Sequence, residues 1–173
     1  MIEIRIHGRG GQGVKKSAQI IARAASLKGM QTQDFAMYGA ERQGAPVTSF
    51  VRADRKPIET RGYVFEPDWI IVLDDSIERE KTLEGRKEGT KILVNSQDLK
   101  KEKGIIKADA TSIALKETGR AIANVALLGA FVRESKLFGM KELEKALEIE
   151  LAKKGDIVQK NLKAAQRVAE ELK

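Results

Sequence analysis

The chain has 173 residues, the usual size of one domain, and at this length a hydrophobic core can be stable without disulfides or metals. Its 42% hydrophobic and 33% charged residues exclude a disordered or collagen-like chain. The absence of cysteine and the presence of one histidine, His7, exclude disulfides, cysteine-ligated iron–sulfur clusters, a cysteine nucleophile and multi-histidine metal sites. No apolar run approaches the roughly 20 residues of a membrane span, and the start of the chain is too polar for a signal peptide. We therefore expect a soluble, cytoplasmic protein.

The net charge of +7 is concentrated in the first third of the chain. Residues 1–60 carry 10 Lys and Arg against 5 Asp and Glu, whereas residues 61–120 carry 12 of each and residues 121–173 carry 10 against 8. This surplus favours an anionic small ligand or an acidic partner. Aromatic residues make up only 5% of the chain and offer few stacking platforms, so nucleic-acid binding is not expected.

The first third of the chain predicts a strand, a glycine loop, a helix and a long loop. Residues 2–7 alternate apolar and polar side chains, which is typical of a half-buried strand. The glycine loop follows over residues 8–13, and a helix with its apolar residues on one face extends from there to Gly29. Residues 30–46 show no periodicity and predict a long loop, a feature that is usually functional inside a compact domain.

The remaining chain predicts the rest of an α/β domain. Residues 47–53 and 57–65 have the pattern of a hairpin, and residues 69–73 that of a central strand covered on both faces. Ser76 is the expected N-cap of a following helix. The later elements are strands over 91–95 and 105–108, and helices from 110 onward, including a buried stretch over 121–131 and amphipathic stretches over 141–153 and 157–172. We predict one domain over residues 1–173, a three-layer α/β/α fold with a mixed, mostly parallel sheet, a glycine-rich loop after the first strand and a helical C-terminal third.

The glycine loop has the spacing Gly8-x-Gly10-x-x-Gly13 of a dinucleotide-binding turn. Such a turn brings a phosphate close to the backbone and to the free N–H groups of a helix N-terminus. Asp34 lies at the distance of a ribose-binding acid, but residues 29–33 do not resemble the apolar strand that such an acid follows, and Arg9 would compete with the phosphate. A tight strand-to-helix turn is the simpler alternative; we favour an anion site or a partner contact.

No other pattern predicts catalysis or metal binding. Asp74 and Asp75 are neighbours on the chain and would point to opposite faces of a strand, so we interpret them as helix caps. Phe35, Met37 and Tyr38 are either anchors in the core or an exposed contact surface. The chain offers no catalytic or metal-binding residue set, which predicts a subunit that supports catalysis elsewhere.

Several segments carry a resemblance that covers nearly the whole chain in order. They read HGRGGQG over 7–13, YGAERQGAPV over 38–47, EPDWIIVLD over 66–74, NVALLGA over 124–130 and VQKNLKAA over 158–165. With these segments the chain resembles the gamma subunits of 2-oxoacid:ferredoxin oxidoreductases, of the pyruvate and ketoisovalerate type. The version over 41–46 looks more like pyruvate or branched-chain enzymes than 2-oxoglutarate enzymes, and pyruvate is the expected substrate.

The resemblance implies a heteromeric, oxygen-sensitive complex of anaerobic metabolism. Such a complex decarboxylates a 2-oxoacid on thiamine diphosphate, passes two electrons through iron–sulfur clusters to ferredoxin and releases the acyl group on coenzyme A. The implied partners are alpha, beta and delta subunits and, through the complex, ferredoxin; neither nucleic acid nor a membrane is implied. The cofactors belong to the partner chains, so we expect none on this chain alone.

Two loops contain the residues that we predict to bind a ligand, such as a phosphate of coenzyme A, or another subunit. They are Gly8, Arg9, Gly10, Gly11, Gln12 and Gly13 of the glycine loop and Tyr38, Glu41, Arg42 and Gly44 of the second loop. Arg9 and Arg42 are the expected charged contacts; in the alternative, Arg9 merely pairs with Glu3 or Glu41. The two loops share one edge of the sheet if strand 47–53 runs antiparallel to strand 2–7. The alternative function is a stand-alone nucleotide-binding protein that uses the glycine loop alone.

Overall fold

The centre of the structure is a mixed β-sheet, seen in a computed structural model that describes residues 1–37, 44–151 and 156–172. Within these residues, six strands lie in the order β2-β3-β1-β4-β5-β6. They are β1 (Ile2–Arg9), β2 (Gln31–Ala36), β3 (Pro46–Asp54), β4 (Trp69–Val72), β5 (Lys91–Asn95) and β6 (Ile105–Ala108). Strands β1, β4, β5 and β6 are parallel, whereas β3 is antiparallel to both β1 and β2. The predicted mixed, mostly parallel sheet is confirmed.

Helices cover the two faces of this sheet unequally. The helices in the described residues are α1 (Val14–Leu27), α2 (Arg79–Leu83), α3 (Ala110–Thr118), α4 (Asn124–Ser135), α5 (Met140–Glu150) and α6 (Asp156–Glu171). One face, which carries Ile6 and Ile71, shares a single apolar core with α1 and α3 to α6. On the other face Ile70 and Val72 pack against Leu83 of the short α2. The three layers are confirmed, and the third one is thin.

Strand β1 and helix α1 follow directly from the alternation and the helical spacing in the sequence. Ile4 and Ile6 are fully buried beneath the helices, while Arg5 and His7 lie on the opposite face. In α1 the apolar positions are buried, and the chain leaves the helix at Gly29, whose φ of +86° favours glycine. Both predicted elements are confirmed, as are the strands over 91–95 and 105–108 and the helical C-terminal third.

Two predictions for residues 30–65 are wrong. Residues 31–36 form β2 and are not part of a long loop. β2 is an edge strand without a fully buried side chain, so its sequence lacks the alternation of apolar and polar residues that marks a half-buried strand. Strand β3 pairs with β1 and β2, so the predicted hairpin with residues 57–65 does not form. Those residues instead cross the sheet face outside any ladder, held by side chains of the strands below.

The antiparallel pairing of β1 with β3 decides where the two predicted loops lie. Arg9, at the end of β1, is opposite Pro46, at the start of β3. Residues 44–46 therefore lie beside the glycine loop at the carboxyl edge, the edge of the sheet where the parallel strands end. The predicted common edge is confirmed for the residues that the structure describes.

Candidate functional site

Three glycines shape a tight turn between β1 and α1. Gly11 and Gly13 have φ values of +94° and +79°, a left-handed conformation that residues with a Cβ rarely adopt. A Cβ on Gly8 would lie 2.6 Å from Cγ2 of Val14, and one on Gly13 would lie 2.5 Å from Nδ2 of Asn124. These positions therefore require glycine, either for backbone conformation or for space.

The carboxylate of Asp74 holds this turn against the segment that follows β4. Oδ2 accepts a hydrogen bond from Nε2 of Gln12 at 2.7 Å and lies 3.2 Å from Nε of Arg9. Oδ1 accepts from the backbone N–H and the hydroxyl of Ser76 at 3.0 and 2.5 Å. The predicted cap at Ser76 is wrong, because α2 begins only at Arg79 and both Asp74 and Ser76 support the glycine loop instead.

Asp74 stays ionised at neutral pH. Partial burial raises its pKa, but the hydrogen bonds from Ser76 and Gln12 and the guanidinium of Arg9 lower it further, so the net shift is downward. Gln12 also closes the turn on itself, since its Oε1 accepts from the N–H of Arg9 at 2.7 Å. The loop is thus held by one charged and several polar contacts.

The described end of the second loop is hydrogen-bonded to the glycine loop. The N–H of Gly10 donates to the carbonyl of Ala45 at 2.8 Å, and the N–H of Gly44 donates to the carbonyl of Gly10 at 3.2 Å. Arg9 adds a hydrogen bond from Nη1 to the carbonyl of Gly44 at 3.2 Å. Gly44 is therefore brought together with the first set of predicted residues. The other three predicted residues of this loop, Tyr38, Glu41 and Arg42, lie outside the described residues.

The N-terminus of α1 opens into a shallow cleft of about 660 Å³. The cleft is lined by Arg9, Gly10, Gly11, Gly13, Val14, Lys15, Lys16, Gln19 and Val47, none of which is acidic. No side chain caps the helix at Gly13, and its first turn contains no acidic residue. A helix N-terminus with free N–H groups and positive partial charge attracts anions. The cleft is therefore suited to an anionic group.

The strand order differs from that of a dinucleotide-binding unit. In such a unit the second parallel strand lies beside the first and ends at the ribose-binding acid. Here the antiparallel β3 separates β1 from β2, and Asp34 of β2 pairs with Val51 of β3. This strand order agrees with the expectation that the region lacks the second strand of a dinucleotide-binding unit. Residues 31–36 do form a strand, but it is not the neighbour of β1.

Two buried arginines occupy the sheet face opposite the helical core. Arg5 is 7% exposed and Arg52 is 1% exposed. Arg52 pairs with Glu3, Nε to Oε1 at 2.7 Å, while Arg9 pairs with Asp74, so the alternative pairing of Arg9 with Glu3 is not formed. Nε of Arg5 donates to Nε2 of His7 at 3.0 Å. Burial and the charge of Arg5 lower the pKa of His7 to about 3, so the imidazole is neutral.

Residues that support the glycine loop from other elements were not predicted as part of the site. Asp74 had a signal, because it follows an apolar run, and parallel strands bring their C-terminal ends to one edge. Asn124, which donates from Nδ2 to the carbonyl of Gly13 at 3.4 Å, has none in the sequence, since only the packing of α4 brings it there. Ser76, the predicted helix cap, instead donates two hydrogen bonds to the carboxylate of Asp74.

The described residues contain no cluster of metal ligands. No group of three or more potential metal ligands gathers among them, and none of the helices they form is long and apolar enough to span a membrane. Since the chain has no cysteine, its residues do not fit an iron–sulfur cluster.

Comparison with known proteins identifies close relatives of the whole chain. The family model for pyruvate ferredoxin/flavodoxin oxidoreductase matches residues 3–171. The pyruvate/ketoisovalerate oxidoreductases common subunit gamma of Pyrococcus abyssi is 41% identical over 180 residues, covering 98% of this chain and 96% of that protein. The pyruvate synthase subunit PorC of Methanocaldococcus jannaschii is also 41% identical, covering 96% of this chain and 94% of the relative.

Solved structures share the fold. The pyruvate oxidoreductase subunit PORC of Thermotoga maritima has a TM-score of 0.85 at 36% identity, and the match covers 99% of this chain and 97% of that one. A 2-oxoglutarate:ferredoxin oxidoreductase of Magnetococcus marinus, with 2-oxoglutarate, coenzyme A and succinyl-CoA bound, has a TM-score of 0.75 at 23% identity. That match covers 99% of this chain and 31% of the longer one, and it is a likeness of fold.

Proposed function

The chain belongs to the pyruvate ferredoxin/flavodoxin oxidoreductase family as a gamma (PorC-type) subunit, and we propose that pyruvate is the 2-oxoacid of its complex. The complex would convert pyruvate to acyl-CoA and CO₂ and reduce ferredoxin. The proposal is supported by the relatives at about 40% identity, which are named for pyruvate or for pyruvate and ketoisovalerate. Assaying the purified complex with pyruvate, ketoisovalerate and 2-oxoglutarate tests it, and turnover with 2-oxoglutarate alone would contradict it.

The glycine loop is the part of this chain that supports the coenzyme A site or a partner backbone. The observation that carries this proposal is the uncapped N-terminus of α1, which opens into a cleft without acidic residues. Coenzyme A carries phosphate groups, the kind of anion that such an end binds. The residues assigned to this role are Gly8, Arg9, Gly10, Gly11, Gln12 and Gly13, with Tyr38, Glu41, Arg42 and Gly44 of the second loop.

Arg9 acts mainly by holding the two loops together. Its three guanidinium nitrogens each contact one of Asp74, Ser76 and Gly44, and Arg9 also lines the cleft, so its positive charge lies beside the anion that we propose. The backbone N–H groups at the N-terminus of α1, where no side chain caps the helix, are the expected direct contacts to an anion, and Arg42 is the second charged contact.

The cofactors of the reaction belong to other chains of the complex. Thiamine diphosphate and the iron–sulfur clusters would be held by alpha, beta and delta subunits, and ferredoxin would accept the electrons from them in the cytoplasm. The gamma subunit would then contribute to assembly and to the coenzyme A site without supplying a catalytic residue. Membership of a family of oxidoreductase subunits disfavours the stand-alone nucleotide-binding alternative.

The proposal is tested by Arg9→Ala and Arg42→Ala in the assembled complex. We expect a higher KM for coenzyme A or weaker assembly, by roughly 1–3 kcal/mol if a charged hydrogen bond is lost. Formation of the thiamine-bound intermediate in the absence of coenzyme A should remain nearly intact. Arg23→Ala is the control, because Arg23 lies on α1, the helix that follows the glycine loop, pairs with Glu150 and does not line the cleft. Unchanged coenzyme A kinetics and assembly in both variants would overturn the role of the loops.

A further inference from the structure

A crossing segment, residues 57–66, runs over the sheet face that the long helices leave uncovered, and two buried arginines hold its backbone. Arg52 donates from Nη1 to the carbonyl of Gly62 at 2.9 Å and from Nη2 to that of Tyr63 at 3.2 Å. Arg5, on the adjacent strand, donates from Nη1 to the next two carbonyls at 3.5 and 3.4 Å. Four consecutive carbonyls are therefore bound by guanidinium groups from below.

This arrangement fixes the shape of the crossing segment. Arg5 also donates from Nη2 to the carbonyls of Thr82 and Glu84, which ties the segment to the end of α2. A buried guanidinium is stable only when its N–H groups are bonded, because its desolvation is otherwise costly. Both guanidinium groups therefore hold the backbone of the segment in place, with Val64 buried at 1% exposure between the exposed Tyr63 and Phe65.

The side chains that the crossing segment presents are aromatic and exposed. Phe65 is 73% exposed and Tyr63 is 47% exposed, and Met37 at the end of β2 is 40% exposed. Beneath them Phe35 stacks on Phe50, with ring centroids 5.0 Å apart, and Tyr63 lies 5.4 Å from Phe50. Four of the eight aromatic residues of the chain are in this cluster. We call the exposed Met37, Tyr63 and Phe65, together with the half-buried Phe35 beneath them, the aromatic patch.

We propose that the aromatic patch is the docking surface for another subunit of the same oxidoreductase complex. Exposed aromatic and methionine side chains on a rigid frame match the cores of protein interfaces, which are enriched in these residues. Residues 54–66 carry three Lys and Arg against three Asp and Glu, so this stretch of chain has no net positive charge to attract a nucleic acid or an anionic membrane. An apolar protein surface is the occupant that this chemistry fits.

The patch continues toward the site at the carboxyl edge. The N–H of Met37 donates to the carbonyl of Thr48 at 2.9 Å, near the start of β3. Just before that start, Gly44 and Ala45 are bonded to Gly10 of the glycine loop. One partner surface could therefore cover the patch and reach the glycine loop. The inference depends on the chain being a subunit, which the family shows, and not on the coenzyme A role.

The test measures the binding of this chain to the remaining subunits of the complex. Phe65→Ser should weaken the apparent Kd by roughly 30-fold, the effect of an interface hot spot, and Tyr63→Ser should weaken it in the same direction. Leu115→Ser is the matched control, because Leu115 is 52% exposed on α3, and it should leave the Kd unchanged. Thermal melting of each isolated variant checks that the fold is retained.

Three outcomes would overturn the proposal. In the first, both patch variants bind the other subunits as tightly as the unmodified chain. In the second, the isolated chain is a dimer that Phe65→Ser converts to monomers, which would make a second copy the occupant. In the third, Leu115→Ser weakens binding as much as Phe65→Ser. At saturating subunit concentration the patch variants should keep the KM for coenzyme A unchanged, so failure here is distinguishable from failure of the glycine-loop role.

Discussion

At the scale of single residues, Asp74 is bonded to two residues of the glycine loop, Arg9 and Gln12, and its charge is the property that matters. Asp74→Asn should lower the free energy of unfolding by about 1–3 kcal/mol, since it weakens charged hydrogen bonds from Arg9, Gln12 and Ser76. Asp75→Asn is the control, because Asp75 is exposed and adjacent. Urea unfolding at neutral pH measures both, and equal losses in the two variants would contradict the assignment.

The same pair of variants has a pH dependence of known sign. The pKa of Asp74 is lower in the folded chain than in the unfolded chain. The stabilisation by the ionised carboxylate is therefore present above about pH 4, the ordinary pKa of an aspartate, and is lost as the pH falls through the folded-state pKa. The difference in stability between the unmodified chain and Asp74→Asn should shrink in acid.

His7 predicts a second pH effect, at higher pH. Its pKa falls from 6.5 to about 3 on folding, so between these values the unfolded chain takes up a proton that the folded chain does not. The free energy of unfolding should then decrease as the pH falls, by up to about 1.4 kcal/mol per pH unit from this group. His7→Gln keeps an acceptor for Nε of Arg5 but cannot titrate, so its stability should fall less steeply. Equal slopes in urea unfolding between pH 7 and pH 4.5 would refute this.

At the scale of elements, the sequence predicts the strands and helices whose packing produces a periodic pattern of apolar residues. The prediction fails where side chains, and not a neighbouring strand, bind the backbone. Strand β1 and helix α1 each bury one side, and the spacing of their apolar residues in the sequence shows which side is buried. Strand β2 lies at an edge of the sheet, and its sequence has no periodic pattern of apolar residues. The crossing segment has apolar residues in extended backbone, like a strand, yet its carbonyls are bound by Arg5 and Arg52 rather than by another strand. No local sequence pattern distinguishes a strand that pairs with another strand from an extended segment that is held by side chains.

The packing of α4 on α6 predicts a strong effect of one methyl group. A Cβ on Gly129 would lie 1.8 Å from the carbonyl oxygen of Ala165, and backbone cannot move aside as a flexible side chain can. Gly129→Ala should destabilise the chain by at least about 2 kcal/mol, even though alanine is the better helix former.

Gly104→Ala is the control for this change. Its Cβ would meet nothing within 4 Å, and only the φ of +80° opposes it. A loss of about 1 kcal/mol is expected there. Thermal melting compares the two variants, and a smaller loss for Gly129→Ala would show that the two helices separate easily.

At the scale of the whole molecule, the candidate site was predictable where it lies on one stretch of chain and not where distant elements complete it. The glycine loop is contiguous, and its spacing alone indicates an anion or partner site. Asp74 and Asn124 reach it from β4 and α4, so their role depends on strand order and helix packing. The role of the buried arginines depends on topology in the same way, because Arg5 and Arg52 lie on neighbouring strands only when β1 pairs with β3.

The division of chemistry between this chain and its partners gives a prediction for the complex as a whole. The chain has no cysteine for iron–sulfur ligation, and its only histidine is buried, neutral and bonded to Arg5. When the gamma subunit is separated from the complex, all iron, sulfide and thiamine diphosphate should remain with the other chains, and the separated subunit should be colourless. Metal analysis, thiamine assay and absorbance spectra of both fractions measure this. A visible absorption band that stays with the gamma subunit after desalting would contradict it, because the chain would then carry a cofactor for which its described residues provide no ligands.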